Sequence, residues 1–87
     1  MKFVDKRIFK GERFSIGIEA TTGRSYLAIP VANSLVEYEE YYEIDQALVE
    51  DCANNLEALL EIARLCRTRQ FDHHLIMPAG RLRGTAL

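Results

Sequence analysis

The chain is most informative at first for what it is short of. It has two cysteines, two prolines and five glycines in 87 residues. Cys52 and Cys66 stand fourteen residues apart on one helical stretch, about 21 Å at 1.5 Å per residue. That is far beyond disulfide reach, so both are expected as buried free thiols, which points to a reducing cytoplasm. The glycines at 11, 17, 23, 80 and 84 are too scattered for a phosphate-cradling loop. There is no Gly-x-Ser-x-Gly, and no Cys–His arrangement with an orienting partner. No apolar run approaches the roughly 20 residues of a membrane helix, and Met1–Lys6 holds no apolar signal core. A pI near 5.6 argues against nucleic acid, and Gly80-Arg81-Leu82-Arg83-Gly84 is too short to count as a groove-binding arm. The size and composition are those of many small bacterial α+β proteins, and a cytoplasmic, bacterial origin is the expectation.

Basic residues are also missing from one long region. Glu37 to Glu61 carries nine acidic residues and no Lys or Arg, whereas Arg64 to Leu87 carries five Arg against one Asp. Met1 to Arg13 is basic again, five against two. Part of this segregation complements a helix dipole, with Arg64, Arg67 and Arg69 at the C-terminal end. The rest would form a charged binding face.

What is present is a helical period. Leu48, Val49, Cys52, Ala53, Leu56, Leu59, Leu60, Ala63 and Cys66 share one arc at about 100° per residue, predicting a single helix over Asp45–Arg69. Asp45 is its expected N-cap, and Ile44 with Val49 its hydrophobic staple.

Before the helix the pattern is of strands. In 1–10, Phe3, Asp5, Arg7 and Phe9 alternate with Val4, Lys6 and Ile8, which suits a polar edge strand. Arg13–Thr21 alternates strictly, with Phe14, Ile16, Ile18 and Ala20 on the buried side. Thr22-Gly23 supplies a turn. Arg24–Val31 is apolar on both sides, as a central strand should be, with pairing expected to weaken at Pro30. Leu35–Ile44 puts Val36, Tyr38, Glu40 and Tyr42 on one face, and Glu37, Glu39, Tyr41 and Glu43 on the other. A helical course for 36–44 is its alternative.

The expected fold is therefore α+β: a three- or four-stranded antiparallel meander followed by one long helix packed on one face. Residues 1–78 make a single domain, and 79–87 a flexible basic C-terminal tail. One helix covers one face, so the 71–78 segment or a second copy must cover the other.

Chemistry is harder to find. Cys66, Asp72 and one of His73 and His74 could offer three metal ligands, but their spacing matches no standard zinc site. The Glu/Tyr run could hold a carboxylate pair, but 87 residues in one sheet and one helix leave little room for a deep pocket. No catalytic residue, metal or cofactor is expected. The expected function is that of a non-enzymatic protein-interaction or assembly module, a homodimer or the subunit of a complex. The alternative is an acidic inhibitor of the immunity or antitoxin kind, covering a basic partner with its Glu37–Glu61 surface. Partner contacts are assigned to Glu37, Glu39, Tyr41, Glu43, Leu27 and Ile29.

Overall fold

A computed structural model describes all residues from Met1 to Leu87. Four antiparallel strands follow in sequence order, β1 (Phe3–Phe9), β2 (Phe14–Glu19), β3 (Ser25–Ala32) and β4 (Glu37–Glu43). Two helices come next, α1 (Gln46–Glu50) and α2 (Leu56–Arg67), and a fifth short strand, β5 (Thr85–Ala86), returns to pair with β3. The α+β meander is as the periodicities require, and residues 37–43 form a strand rather than a helix. No helix is long and apolar enough to cross a membrane.

One face of the sheet packs on the helices. Ile16, Leu27, Ile29, Val31 and Tyr42 meet Val49, Leu59, Ala63 and Cys66, all of them buried. The single long helix is corrected by the structure. It breaks at Asp51–Asn55, where Asn54 Nδ2 bonds the Asp51 carboxylate at 3.0 Å and Asn55 Nδ2 bonds the Asp51 carbonyl at 2.8 Å. Short polar side chains here satisfy the backbone locally and compete with the helix. The break shifts the helical phase, so Leu56 and Leu60 are exposed at 41% and 38%. Asp45 makes no side-chain capping bond. The far end of α2 closes on Arg69, whose φ of 58° lets Gln70 N–H reach the Leu65 carbonyl at 2.8 Å.

The other face closes without a second layer. Strands spaced about 4.8 Å apart would leave β1 and β4 roughly 14 Å apart in a flat sheet. Yet Phe3 of β1 stacks on Tyr41 of β4, with ring centres 3.6 Å apart and planes 14° from parallel. The sheet curls, and β1 folds over its concave side. Two local features permit this. Lys6 is an extra residue between the Asp5–Gly17 and Arg7–Ile16 pairs, a bulge that sharpens the bend. Gly17 lies under the fold: a Cβ there would collide with the Val4 carbonyl oxygen and stand 2.6 Å from the Tyr26 hydroxyl. The bulge also corrects the expected alternation, since it puts Phe3 and Asp5 on the concave face but Arg7 and Phe9 on the helix face. β2 is accordingly buried on both sides, Ser15 and Glu19 included.

Segment 71–78 does not cover the concave face; Phe71 and Leu75 pack against the margin of the helix-face core. Ile76 N–H bonds the Tyr41 carbonyl at 2.9 Å, and Leu75 bridges Tyr42, so this stretch lies along the outer edge of β4.

Residues 79–87, read from sequence as a flexible tail, are instead anchored. β5 pairs with β3 at Val31 and Ala32, taking the side of β3 that β2 leaves at Ala28. Leu87 N–H bonds the Pro30 carbonyl at 3.1 Å, so the side of Pro30 without an N–H falls in the gap between β2 and β5. Pairing with β4 continues straight through Pro30. Arg83 fixes the tail by reaching Glu40 at 2.7 Å and Asp72 at 2.6 Å, with only 14% and 7% of the Arg83 and Glu40 side chains exposed. This ion pair holds the Asp72 carboxyl below its ordinary range.

Candidate functional site

The concave face is where polar groups converge. At one end Phe3, Tyr26 and Tyr41 form an aromatic cluster, Tyr26 standing edge-on to both neighbours at 5.4 and 5.1 Å. Edge-to-face contact sets the positive ring edge against the negative ring face. Each tyrosine then turns its hydroxyl to a carboxylate: Tyr26 donates to Asp5 Oδ1 at 2.7 Å, and Tyr41 donates to Glu39 Oε2 at 2.9 Å. Burial first, and then the partner carboxylate, push both phenols well above their usual range, so both stay protonated donors. Asp5 and Glu39 each act on both phenols, which makes the four groups one electrostatic unit.

Beyond the aromatic cluster the face opens into a cleft of about 400 Å³. Asp5, Ile8 and Ser15 line it from the β1–β2 side, Pro30 and Glu39 from the other, and Leu87 of the returning tail closes part of its rim. Lys10 and Arg13, next to the β1–β2 turn, stand at its outer end. Arg13 adopts φ 57°, a left-handed conformation that the tight turn requires. Asp5 and Glu39 form no ion pair with them, nor with any other cation within 4.0 Å. The Ser15 hydroxyl is buried and bonds to nothing. A buried hydroxyl without a partner costs stability, and of the two in the chain, Ser15 and Ser25, Ser15 is the one that lines this cleft.

Of the residues expected to meet a partner, the structure brings four together. Glu37, Glu39, Tyr41 and Glu43 share the concave side of β4, with the three glutamates exposed and Tyr41 half-buried. Leu27 and Ile29 are corrected: they point to the opposite face, 0% and 1% exposed beneath the helices, and have no surface to offer. Sequence reasoning missed Asp5, Ser15 and Tyr26. Gly17, the one glycine inside a strongly alternating strand, is the signal that marked the spot, because such a glycine often admits a close backbone neighbour.

Elsewhere polar groups serve the fold. Tyr42 donates to Glu40 at 2.8 Å within the Arg83 cluster. Burial pushes the Cys66 thiol up to about 12, so it remains an unreactive thiol at neutral pH. His74 stacks on Phe71 at 4.0 Å, and no three His, Cys, Asp or Glu side chains converge as a metal site would need. No family model matches the chain, and no curated protein or solved structure matches it either.

Proposed function

We propose that this protein is an interaction module that docks a basic protein partner on the acidic side of β4, through Glu37, Glu39, Tyr41 and Glu43. The observation that carries this reading is that Glu37 and Glu39 are exposed on one face and paired with no cation. Glu43 has only a loose contact with Arg24, at 3.9 Å between two exposed side chains. Such a pair is worth little, and a partner's Lys or Arg can replace it. The aromatic cluster behind the row holds Tyr41 in place, giving the surface a rigid contact residue among its charges. An inhibitor that covers a basic site would use the same surface.

The test is salt-dependent capture. A partner retained at low ionic strength should be released by about 0.5 M salt, because exposed charges are then screened within a few ångströms. Reversing the two outer charges together, Glu37→Lys and Glu43→Lys, should abolish retention while leaving the circular dichroism spectrum unchanged. Retention that ignores both salt and charge reversal removes the reading.

Self-association is the second reading, and the free edge of β1 favours it, with Val4 and Ile8 exposed at 38% and 59%. Lys2, Lys6 and Lys10 on and beside that strand oppose edge-to-edge pairing. The face count argues for a dimer less strongly than the sequence suggests, since β1 covers Tyr26 on the concave face and only the cleft stays open. Light scattering at about 100 μM, well above a micromolar constant, decides between monomer and dimer.

A further inference from the structure

From the concave cleft we infer a second binding activity: it accepts a short zwitterionic peptide, ammonium end inward and carboxylate end outward. The inference does not rest on the basic partner proposed above. Three observations combine. The inner end holds two carboxylates, Asp5 and Glu39, each with one oxygen occupied by a tyrosine hydroxyl and the other free of any hydrogen bond. The outer end holds Lys10 and Arg13, which pair with neither carboxylate. Between them, in the floor, lies the Ser15 hydroxyl, 4% exposed as a residue and without a partner.

The cleft is thus charged oppositely at its two ends, with a polar atom midway that lacks its hydrogen bond. A ligand that satisfies all three has a cation, a backbone-like polar centre and an anion, in that order. Size sets the rest. Asp5 lies on β1 and Lys10 in the turn just past its end, at most about 16 Å apart for five extended residues, and the Lys6 bulge and the lysine stem shorten that distance. An extended tripeptide spans about 10 Å. A volume of about 400 Å³ lies in the range of small-ligand sites. Ile8 and Pro30 offer apolar walls to the peptide's side chains. The ammonium would bond to the free oxygens of Asp5 and Glu39, a central amide to Ser15, and the carboxylate to Lys10 and Arg13, with charge assistance at both ends.

Calorimetric titration of the full chain with tri-alanine, its N-acetyl form and its C-terminal amide tests this. Tri-alanine should bind, and each blocked form should bind at least about tenfold more weakly, since each loses one charge-assisted contact. Ser15→Ala should weaken tri-alanine several-fold with no loss of melting temperature, because it removes a hydroxyl that bonds to nothing in the free protein. Glu39→Gln should weaken tri-alanine but leave the already weak N-acetyl form unchanged. Three outcomes overturn the inference: no binding of tri-alanine at about 10 mM, equal binding of all three peptides, or full binding of the amide. The last would mean that the cleft reads a cation alone. The Glu37→Lys, Glu43→Lys variant, whose changes lie outside the cleft lining, should still bind tri-alanine. Partner loss in that variant and peptide loss in Ser15→Ala are therefore separate failures.

Discussion

On the helix face, Leu27, Ile29 and Tyr42 are buried by side chains from another layer, Leu59, Ala63 and Cys66 of α2. On the concave face, Tyr26 is equally buried, at 0% exposure, yet no layer lies over it. What covers it is the sheet's own first strand, brought across by a bulge at Lys6 and by the missing side chain at Gly17. The first kind of closure is made by apolar area from a second layer. The second uses less of it and leaves polar groups beside one another: Asp5 with Tyr26, Glu39 with Tyr41, and Ser15 with no partner. A sheet that covers itself incompletely keeps a cleft. That difference is why the binding proposals fall on one face only.

The largest effect should come from the helix face. Leu59→Ala removes a fully buried side chain from a packed layer and should cost about 2–5 kcal/mol by chemical denaturation, as cavity-forming changes do. Leu56→Ala, at an exposed position three residues earlier, should cost well under about 1 kcal/mol. Equal costs would show that α2 does not present the face described.

Next comes the fold-over itself. Gly17→Ala places a methyl group against the Val4 backbone, which cannot yield as a flexible side chain could. The expected cost is about 1–3 kcal/mol or somewhat more. Its signature should differ from that of Leu59→Ala: the near-ultraviolet signal of the Phe3–Tyr26–Tyr41 cluster should fade while the helical signal persists. Loss of both in parallel would mean that the two faces do not close independently.

How much of this was legible follows the same division. The helix face announces itself through periodicity: Phe14, Ile16, Leu27 and Ile29 alternate, and Leu59, Ala63 and Cys66 recur at helical spacing. The apolar arc did not register the Asp51–Asn55 break, because counting hydrophobic positions gives no weight to side chains that bond their own backbone. Of the curl, only Gly17 was visible, as a glycine inside an alternating strand; the extra residue at Lys6 left no mark, because a bulge is a matter of register between strands. The anchored tail was not legible either. Arg83 reads as a solvated charge until Glu40 and Asp72, 43 and 11 residues away in sequence, are brought beside it. Of the candidate site, the β4 half was visible as the Glu/Tyr alternation. The β1–β2 half, Asp5 and Ser15, was visible only as unremarkable polar residues in strands.

A third effect concerns the β2–β3 turn and is read in pH. Glu19 accepts bonds from the backbone N–H groups of Lys2, Thr21 and Thr22 and from the Thr22 hydroxyl, all between 2.8 and 2.9 Å. Led by the Thr21 and Lys2 bonds, these hold its carboxyl at about 2, below its ordinary 4.5. A depressed pKa favours the folded state wherever the carboxylate is ionised. The contribution is full above about pH 4.5 and lost as pH falls towards 2. Acid unfolding should therefore include a component in that window that Glu19→Gln removes, and the first to loosen should be the start of β1 at Lys2. An acid profile unchanged by Glu19→Gln would place the sensitivity elsewhere, at Asp72 beside Arg83.

The smallest effect is the most specific to the concave face. Tyr26→Phe keeps the buried ring and its edge contacts with Phe3 and Tyr41, and deletes only the hydroxyl that donates to Asp5 Oδ1 at 2.7 Å. Asp5 is exposed, so water can replace the lost donor, and the cost should stay near 1 kcal/mol, the usual net value of one hydrogen bond. On the helix face the matching change, Tyr42→Phe, strips a donor from Glu40, which is 7% exposed and tied to Arg83. Water cannot enter there so easily, and the expected cost is larger, about 1–3 kcal/mol for a buried group left short of a partner. The two substitutions are chemically identical, so the difference between their denaturation midpoints measures how wet each face is. If Tyr26→Phe proved the costlier of the two, the concave side would be as dry as the helix side, and the cleft would not be open to a ligand.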